Sequence, residues 1–139
     1  MRITQEADYA IRITYYLSQV KYKTGAKDIS EKTGVTLRFA LKILRKLIMA
    51  DIAVSFKGVK GGYMLKKSLG EISIGEIIEI IDGPIAINHC LNNEFDCTRV
   101  QDKKDCNFHK VFQTINSKIR SDLYAVTMDK VMKMDESGY

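Results

Sequence analysis

The run from residue 27 to residue 65 leaves this chain little choice of fold. Lys27 to Thr33 reads as a short helix that buries Ile29 and closes at Gly34, which can take the left-handed conformation a helix end needs. Thr36 is a good N-cap for a second helix, Leu37 to about Ala50. Along it Leu37, Leu41, Leu44 and Ile48 make one stripe, widened by Ala40 and Leu47. Arg38, Lys42, Arg45 and Met49 make another, with Lys46 beside it. A solvated charged face on an ordinary core helix has the same pattern, so this helix alone decides nothing. The next residues do. Ile52 to Phe56 reads as a strand and Tyr63 to Leu65 as its return, joined by Lys57-Gly58-Val59-Lys60-Gly61-Gly62, a turn with two cations. Helix, tight turn, longer helix and basic hairpin predict a winged helix-turn-helix, mainly α with a small β-wing.

The flanking segments fit around that unit. A first helix is expected from Gln5 to about Val20, with Ala7, Ala10, Ile11, Thr14, Leu17 and Ser18 at helical spacing. Ile13, Tyr15 and Tyr16 add apolar surface on other sides, which calls for a second packing partner such as another subunit. Lys21 to Gly25 reads as a polar break. Ser73-Ile74-Gly75-Glu76 is a capping box opening a helix that buries Ile74, Ile77, Ile78 and Ile81 and stops at Gly83-Pro84. No period is sustained from Ile85 to about Lys104. A last helix is expected from near Cys106 to about Met132, with Phe112, Ile115, Ile119, Leu123 and Val126 on a stripe suited to a partner subunit. The expected division is a DNA-binding unit at 1–83, a cysteine-bearing sensor loop at 84–105, a dimerisation helix at 106–134 and a disordered tail at 135–139.

Charge separates the two halves. Residues 1–70 hold 14 Lys/Arg against 5 Asp/Glu, a net of +9, while residues 71–139 hold 8 against 12, a net of −4. A basic front and an acidic rear fit one DNA-facing end and one end facing something else. No apolar run approaches the roughly 18 residues that span a bilayer. The N-terminus carries Glu6 and no apolar core of a signal peptide, so the expectation is a cytoplasmic protein with no membrane partner. No Ser/His/Asp arrangement, phosphate-binding glycine motif or metalloprotease helix is present, so an enzyme is not expected.

All three cysteines, Cys90, Cys97 and Cys106, fall in one stretch with His109 just beyond. An odd count argues against a disulfide framework and for reduced thiols. Soft thiolates suit iron–sulfur clusters, and three leave one position for a weaker nitrogen or oxygen donor, which favours a reactive centre over an electron carrier. The spacing is unlike a zinc ribbon, although Cys106 with His109 could contribute to a zinc site. Three unmetallated, redox-active thiols are the alternative. His109 is equally readable as a hydrogen-bonded surface residue, Asp8 as a first-turn acid favoured by the helix dipole, and His89 is the weaker ligand candidate.

With these motifs in view the chain resembles the Rrf-two family of bacterial winged-helix regulators. The resemblance spans about residues 1–132. It rests on Met1-Arg-Ile-Thr4, Asp8-Tyr-Ala-Ile-Arg12, Ile29-Ser-Glu-Lys-Thr-Gly-Val35 with Leu37-Arg38, Lys57-Gly-Val-Lys-Gly-Gly-Tyr63, Ile72 to Gly83, and the cysteine loop. It implies a homodimer with crossed C-terminal helices, its two reading heads set on a pseudo-palindromic double-stranded DNA operator. It also implies an iron–sulfur cluster, 2Fe–2S or 4Fe–4S, on Cys90, Cys97 and Cys106, with His109 or the partner subunit's Asp8 as fourth ligand. The gaps of six and eight residues between the cysteines are longer than the family's usual five or so.

Together these readings predict a dimeric regulator sensing iron, redox state or nitric oxide, setting promoter occupancy for repression or activation. The alternative is a cluster-free regulator controlled by thiol redox state or by a protein partner. Thr36, Leu37 and Arg38 are the expected base-reading residues, Lys42 and Arg45 would meet bases or flanking phosphate, and Ser55, Lys57, Lys60 and Gly61 would set the wing on the backbone or in the minor groove.

Overall fold

The computed structural model describes residues 1–136. Its order is α1 (Gln5–Gln19), α2 (Ala26–Thr33), α3 (Leu37–Met49), β1 (Ala53–Phe56), β2 (Gly62–Leu65), α4 (Ile74–Asp82), α5 (Asn107–Ala125) and α6 (Met128–Glu136), with short 3₁₀ turns at Leu69–Glu71, His89–Leu91 and Lys103–Asp105. No helix among the described residues is long and apolar enough to cross a membrane.

The core sits where α1, α3, α4 and the hairpin meet, around Ile13, Leu17, Ile29, Ile43, Leu44, Leu47, Ile52, Ile72 and Ile77. Local chemistry defines the helix ends. Thr4 caps α1 by accepting from the Ala7 amide at 3.1 Å. Gly34 ends α2 in the left-handed region at φ 70°, as the sequence requires. The Ser73 hydroxyl accepts from the Glu76 amide at 3.0 Å, but the Glu76 carboxylate turns to Lys67 at 2.8 Å, so only half of the expected capping box forms.

Several expectations need correction. In α1 the core residue is Ile13, fully buried, whereas Ile11 is only partly so; the face that meets α3 and α4 is rotated slightly from the one counted. In α3 the buried side is Ala40, Ile43, Leu44 and Leu47, and Leu37 and Leu41 turn outward, 46% and 41% exposed. Lys21 to Gly25 is not a simple break: Thr24 is buried and bridges Tyr63, with amide–carbonyl bonds of 3.1 and 2.8 Å, giving the hairpin a third edge. A Cβ at Gly62 would stand 2.9 Å from the Thr24 backbone, so this close approach needs a glycine.

The last helix is also interrupted. After Ala125 the chain runs extended through Val126 and Thr127, where Ser73 and Thr127 pair as a bridge, before α6 begins. The Ile74 amide donates to Val126 O at 2.9 Å and the Met128 amide to Ile72 O at 2.9 Å. Met128 is buried in the core, so α6 folds back on the winged unit rather than prolonging α5. The residue pair Val126-Thr127 is β-branched, and a Thr with Asp two places on is a helix start; those local preferences outweighed the continuing apolar period. Of the expected disordered tail, residues 135 and 136 belong to α6, and 137–139 lie outside the described residues.

Candidate DNA interface and thiol cleft

Helix α3 presents Arg38, Leu41, Lys42, Arg45 and Met49 to solvent, with Thr36 and Leu37 at its start. Thr36 caps it, accepting weakly from the Phe39 amide at 3.4 Å. Among the described residues neither Arg38 nor Arg45 enters an ion pair. The lysines differ. Lys46 Nζ lies 2.9 Å and Lys42 Nζ 3.5 Å from Glu6 Oε1 on α1. The Lys46 bond, foremost, holds the Glu6 carboxyl below its ordinary range, and burial only partly offsets this. Glu6 thus draws two cations of the outer face inward, which the sequence reading missed because an i-to-i+40 pairing has no local signature.

The wing is a two-stranded antiparallel ribbon in register Ala53↔Leu65 to Phe56↔Gly62. Ser55, Lys57, Val59 and Lys60 are exposed on it, as a hairpin meant to meet another surface needs. Gly61 is forced: a Cβ there would lie 2.2 Å from Phe56 O. Lys23 extends the positive edge, its Nζ 4.1 Å from the centre of the Phe56 ring. Of the expected DNA-facing residues, those of α3 and Thr36 before it, and Ser55, Lys57 and Lys60 of the wing, are exposed, while Gly61 is half-buried.

In the loop, Cys90, Cys97 and Cys106 open onto one cleft of about 210 Å³, together with His109, Arg99, Phe95 and Phe108. They do not close into a ligating cluster: among the described residues no group of three or more Cys, His, Asp or Glu is arranged to hold a metal ion. His109 Nδ1 is buried without a hydrogen-bond partner. Arg99 links two thiols, its amide donating to Cys97 Sγ at 3.4 Å and its guanidinium lying 3.9 Å from Cys106 Sγ. The Arg99 amide, foremost, and the Val100 amide hold the Cys97 thiol below its ordinary value. The His109 amide in the first turn of α5 does so for Cys106, against its burial. His89 lies outside this cleft and stacks on Phe95, ring centres 5.8 Å apart. Asp8 is elsewhere on the subunit, exposed and paired with Arg12 at 3.0 Å.

Two side chains anchor the loop to the helices. Asn116 of α5 donates to Ile85 O at 2.8 Å and accepts from the Ile87 amide at 3.0 Å, imitating a strand partner. Glu79 of α4 accepts from the Ile85 amide at 2.9 Å, from Tyr124 Oη at 2.5 Å and from Arg120 at 2.9 Å. Burial alone would raise the Glu79 carboxyl, but these bonds outweigh it and hold it below its ordinary value. Helices α4 and α5 approach closely enough that a Cβ on Gly75 would stand 2.4 Å from the Tyr124 ring. At its other end α4 is tied to α1, Asp82 accepting from the Thr4 hydroxyl at 2.5 Å and the Thr4 amide at 3.2 Å. Loop, α5, α4 and reading head thus form one connected path.

Residues 3–134, almost the whole chain, match Rrf2, the family described as an iron-dependent transcriptional regulator. The chain belongs to the Rrf2 family. Among its relatives, the HTH-type transcriptional regulator IscR of Vibrio atlanticus (strain LGP32) is 28% identical over 138 residues, covering 98% of this chain and 78% of that protein. The rrf2-like HTH-type regulator of Rhodobacter capsulatus is 32% identical over 120 residues, 81% of this chain and 80% of that one. Two solved structures share the fold. T. potens IscR superposes with a TM-score of 0.76 at 20% identity, covering 99% of this chain and 90% of that one. CymR, the global cysteine regulator of B. subtilis, does so with a TM-score of 0.77 at 18% identity, covering 96% and 98%. This Rrf2-family protein is a DNA-binding transcriptional regulator and not an enzyme. Its mainly α fold with a two-stranded wing and a long C-terminal helix is the winged-helix fold of those structures.

Proposed function

We propose that the protein is a cytoplasmic homodimer whose hold on a pseudo-palindromic operator is set by an iron–sulfur cluster on Cys90, Cys97 and Cys106. One observation carries this reading: the three thiols open onto a single cleft beside a buried, unpartnered His109 Nδ1. The donor set fits such a group, since sulfur ligands predominate and two of the thiols are biased towards thiolate. His109 or the partner subunit's Asp8 completes it. Bound there, a 2Fe–2S or 4Fe–4S cluster would supply an iron centre that reacts with oxidants or nitric oxide and whose occupancy follows iron supply.

The chain's own residues do the rest. Drawing the thiols together orders residues 84–105 between two fixed points, the Ile85–Ile87 anchor and the start of α5. Glu79 and Asn116 pass that order to α4 and α5, and Thr4–Asp82 passes it to α1. Residues 107–125 form the dimer contact, where Phe108, Val111 and Ile115 are 60%, 54% and 46% exposed. Residues 84–105, so ordered, would change how the two reading heads are set for grooves about 34–36 Å apart.

A second reading has its own support. Arg99 sits against both Cys97 and Cys106 and favours their thiolates, as a disulfide switch needs. There the two thiols would lose two protons and two electrons to a peroxide-type oxidant, forming the S–S bond, with no metal involved.

Anaerobic purification and reconstitution separates the two. The cluster reading expects iron, acid-labile sulfide and visible absorption in the wild type, all lost in Cys97→Ala. A colourless, iron-free wild type that instead yields a Cys97–Cys106 disulfide on oxidation contradicts it and favours the thiol switch.

A further inference from the structure

Helical periodicity places Leu37 and Leu41 on the core side of α3, yet both stand on its outer face, 46% and 41% exposed. They are one turn apart and therefore neighbours. Isolated surface leucines are common, but these two share a shallow groove with Arg38, Lys42 and Arg45. Arg38 and Arg45 have no anionic partner among the described residues, and no carboxylate lines that groove. An apolar strip bordered by unpaired cations calls for an occupant with anions at its edge and apolar groups at its centre.

The major groove of DNA is that surface. Phosphates line its rims, and thymine carries the only apolar group on its floor, the 5-methyl. The residues at the start of a recognition helix are those that reach base edges. Leu37 is the first residue of α3 and Leu41 lies one turn along it. We infer that Leu37 and Leu41 read thymine, closing over its 5-methyl groups, while Arg38 and Arg45 meet guanine or phosphate beside them. Part of the operator's specificity then comes from methyl contacts that carry no hydrogen bond. This rests on α3 being the DNA-reading helix and adds which bases it selects.

The test uses the full-length chain and an operator selected by it from randomised duplexes. Each thymine is replaced in turn by deoxyuridine, which keeps every hydrogen bond and removes only the methyl. At one or two positions per half-site the wild type is expected to lose about fourfold in affinity, the worth of one buried methyl. Leu37→Ala or Leu41→Ala, both solvent-facing and so free to fold, should bind the thymine duplex more weakly and no longer distinguish it from the uridine duplex at the matching position. Lys60→Ala should weaken both duplexes equally and keep the discrimination. Uridine substitutions that change affinity less than twofold everywhere overturn the inference, as does discrimination that survives both leucine variants. If the wild type retains no duplex at all, the DNA-reading role of α3 falls with it; binding that ignores the methyl removes only the thymine contact.

Discussion

Glu79→Gln is the most informative single change, because one carboxylate joins α4, α5 and the start of the cysteine loop. Bonds to a charged acceptor contribute about 1.5–3 kcal/mol each where they are shielded. The Tyr124 and Ile85 bonds belong near the low end of that range. Arg120 is 51% exposed, so its pairing with Glu79 is screened and contributes about 0.5 kcal/mol. Removing all three, as in Glu79→Ala, should cost about 3.5 kcal/mol, a large share of the roughly 5–15 kcal/mol a domain has. Glutamine keeps one acceptor oxygen and loses the charge, so about half that cost is expected. The folded carboxyl lies below its ordinary value, so its stabilisation is fully present above the unfolded value and fades as pH falls through the folded one. The gap between wild type and Glu79→Gln should therefore hold steady at neutral pH and close in acid. Urea unfolding followed by far-ultraviolet circular dichroism measures it, suitable for a chain with no tryptophan. Protein concentration is held fixed, since any self-association shifts apparent stability. A neutral-pH difference below about 0.5 kcal/mol, or one undiminished well below the carboxylate range, would refute the reasoning.

Two further outcomes follow from the reading head. Glu6→Gln should release Lys42 and Lys46 to the DNA face, tightening binding to random-sequence DNA and steepening its salt dependence by up to about two charges; an unchanged slope in a fluorescence-anisotropy salt series argues against it. Arg38→Ala should cost about 1–3 kcal/mol at one base position of the operator, whereas Lys60→Ala should weaken every sequence alike and flatten the slope. A panel of single-base operator variants decides this, and equal losses on all sequences after Arg38→Ala would remove its base-reading role.

The winged unit was legible because its cues are local: Gly34 after α2, Thr36 before α3, and the glycines and lysines between β1 and β2 act within a few residues of themselves. What escaped was decided by partners far along the chain. Leu37 and Leu41 turn outward because Ala40, Ile43, Leu44 and Leu47 form the buried face of α3, and the helical count alone could not choose between those adjacent faces. Thr24 joins the hairpin only because Tyr63 lies beside it. The break before α6 had a signal in Val126-Thr127 and Asp129, overshadowed by the longer apolar period. In the thiol cleft the cysteines and His109 were evident from sequence, while Arg99, Glu79 and Asn116, which hold the loop and two of its sulfurs, were not. Asn116 reaches Ile85 across 31 residues and Arg120 and Tyr124 reach Glu79 across 41 and 45, separations with no periodic trace, whereas Arg99 meets its thiols locally, in a loop without regular period.

The central claim is that thiol-bound iron and operator affinity are thermodynamically linked. The decisive measurement is the dissociation constant for the selected operator, taken anaerobically for the reconstituted wild type, the iron-stripped wild type and the Cys90→Ala/Cys97→Ala/Cys106→Ala variant. The account predicts that the stripped protein and the variant agree with each other and differ from the reconstituted form by roughly 5–150-fold, a coupling of about 1–3 kcal/mol. Equal affinity in all three would contradict it, and leave a DNA-binding protein whose cysteines do not govern its grip.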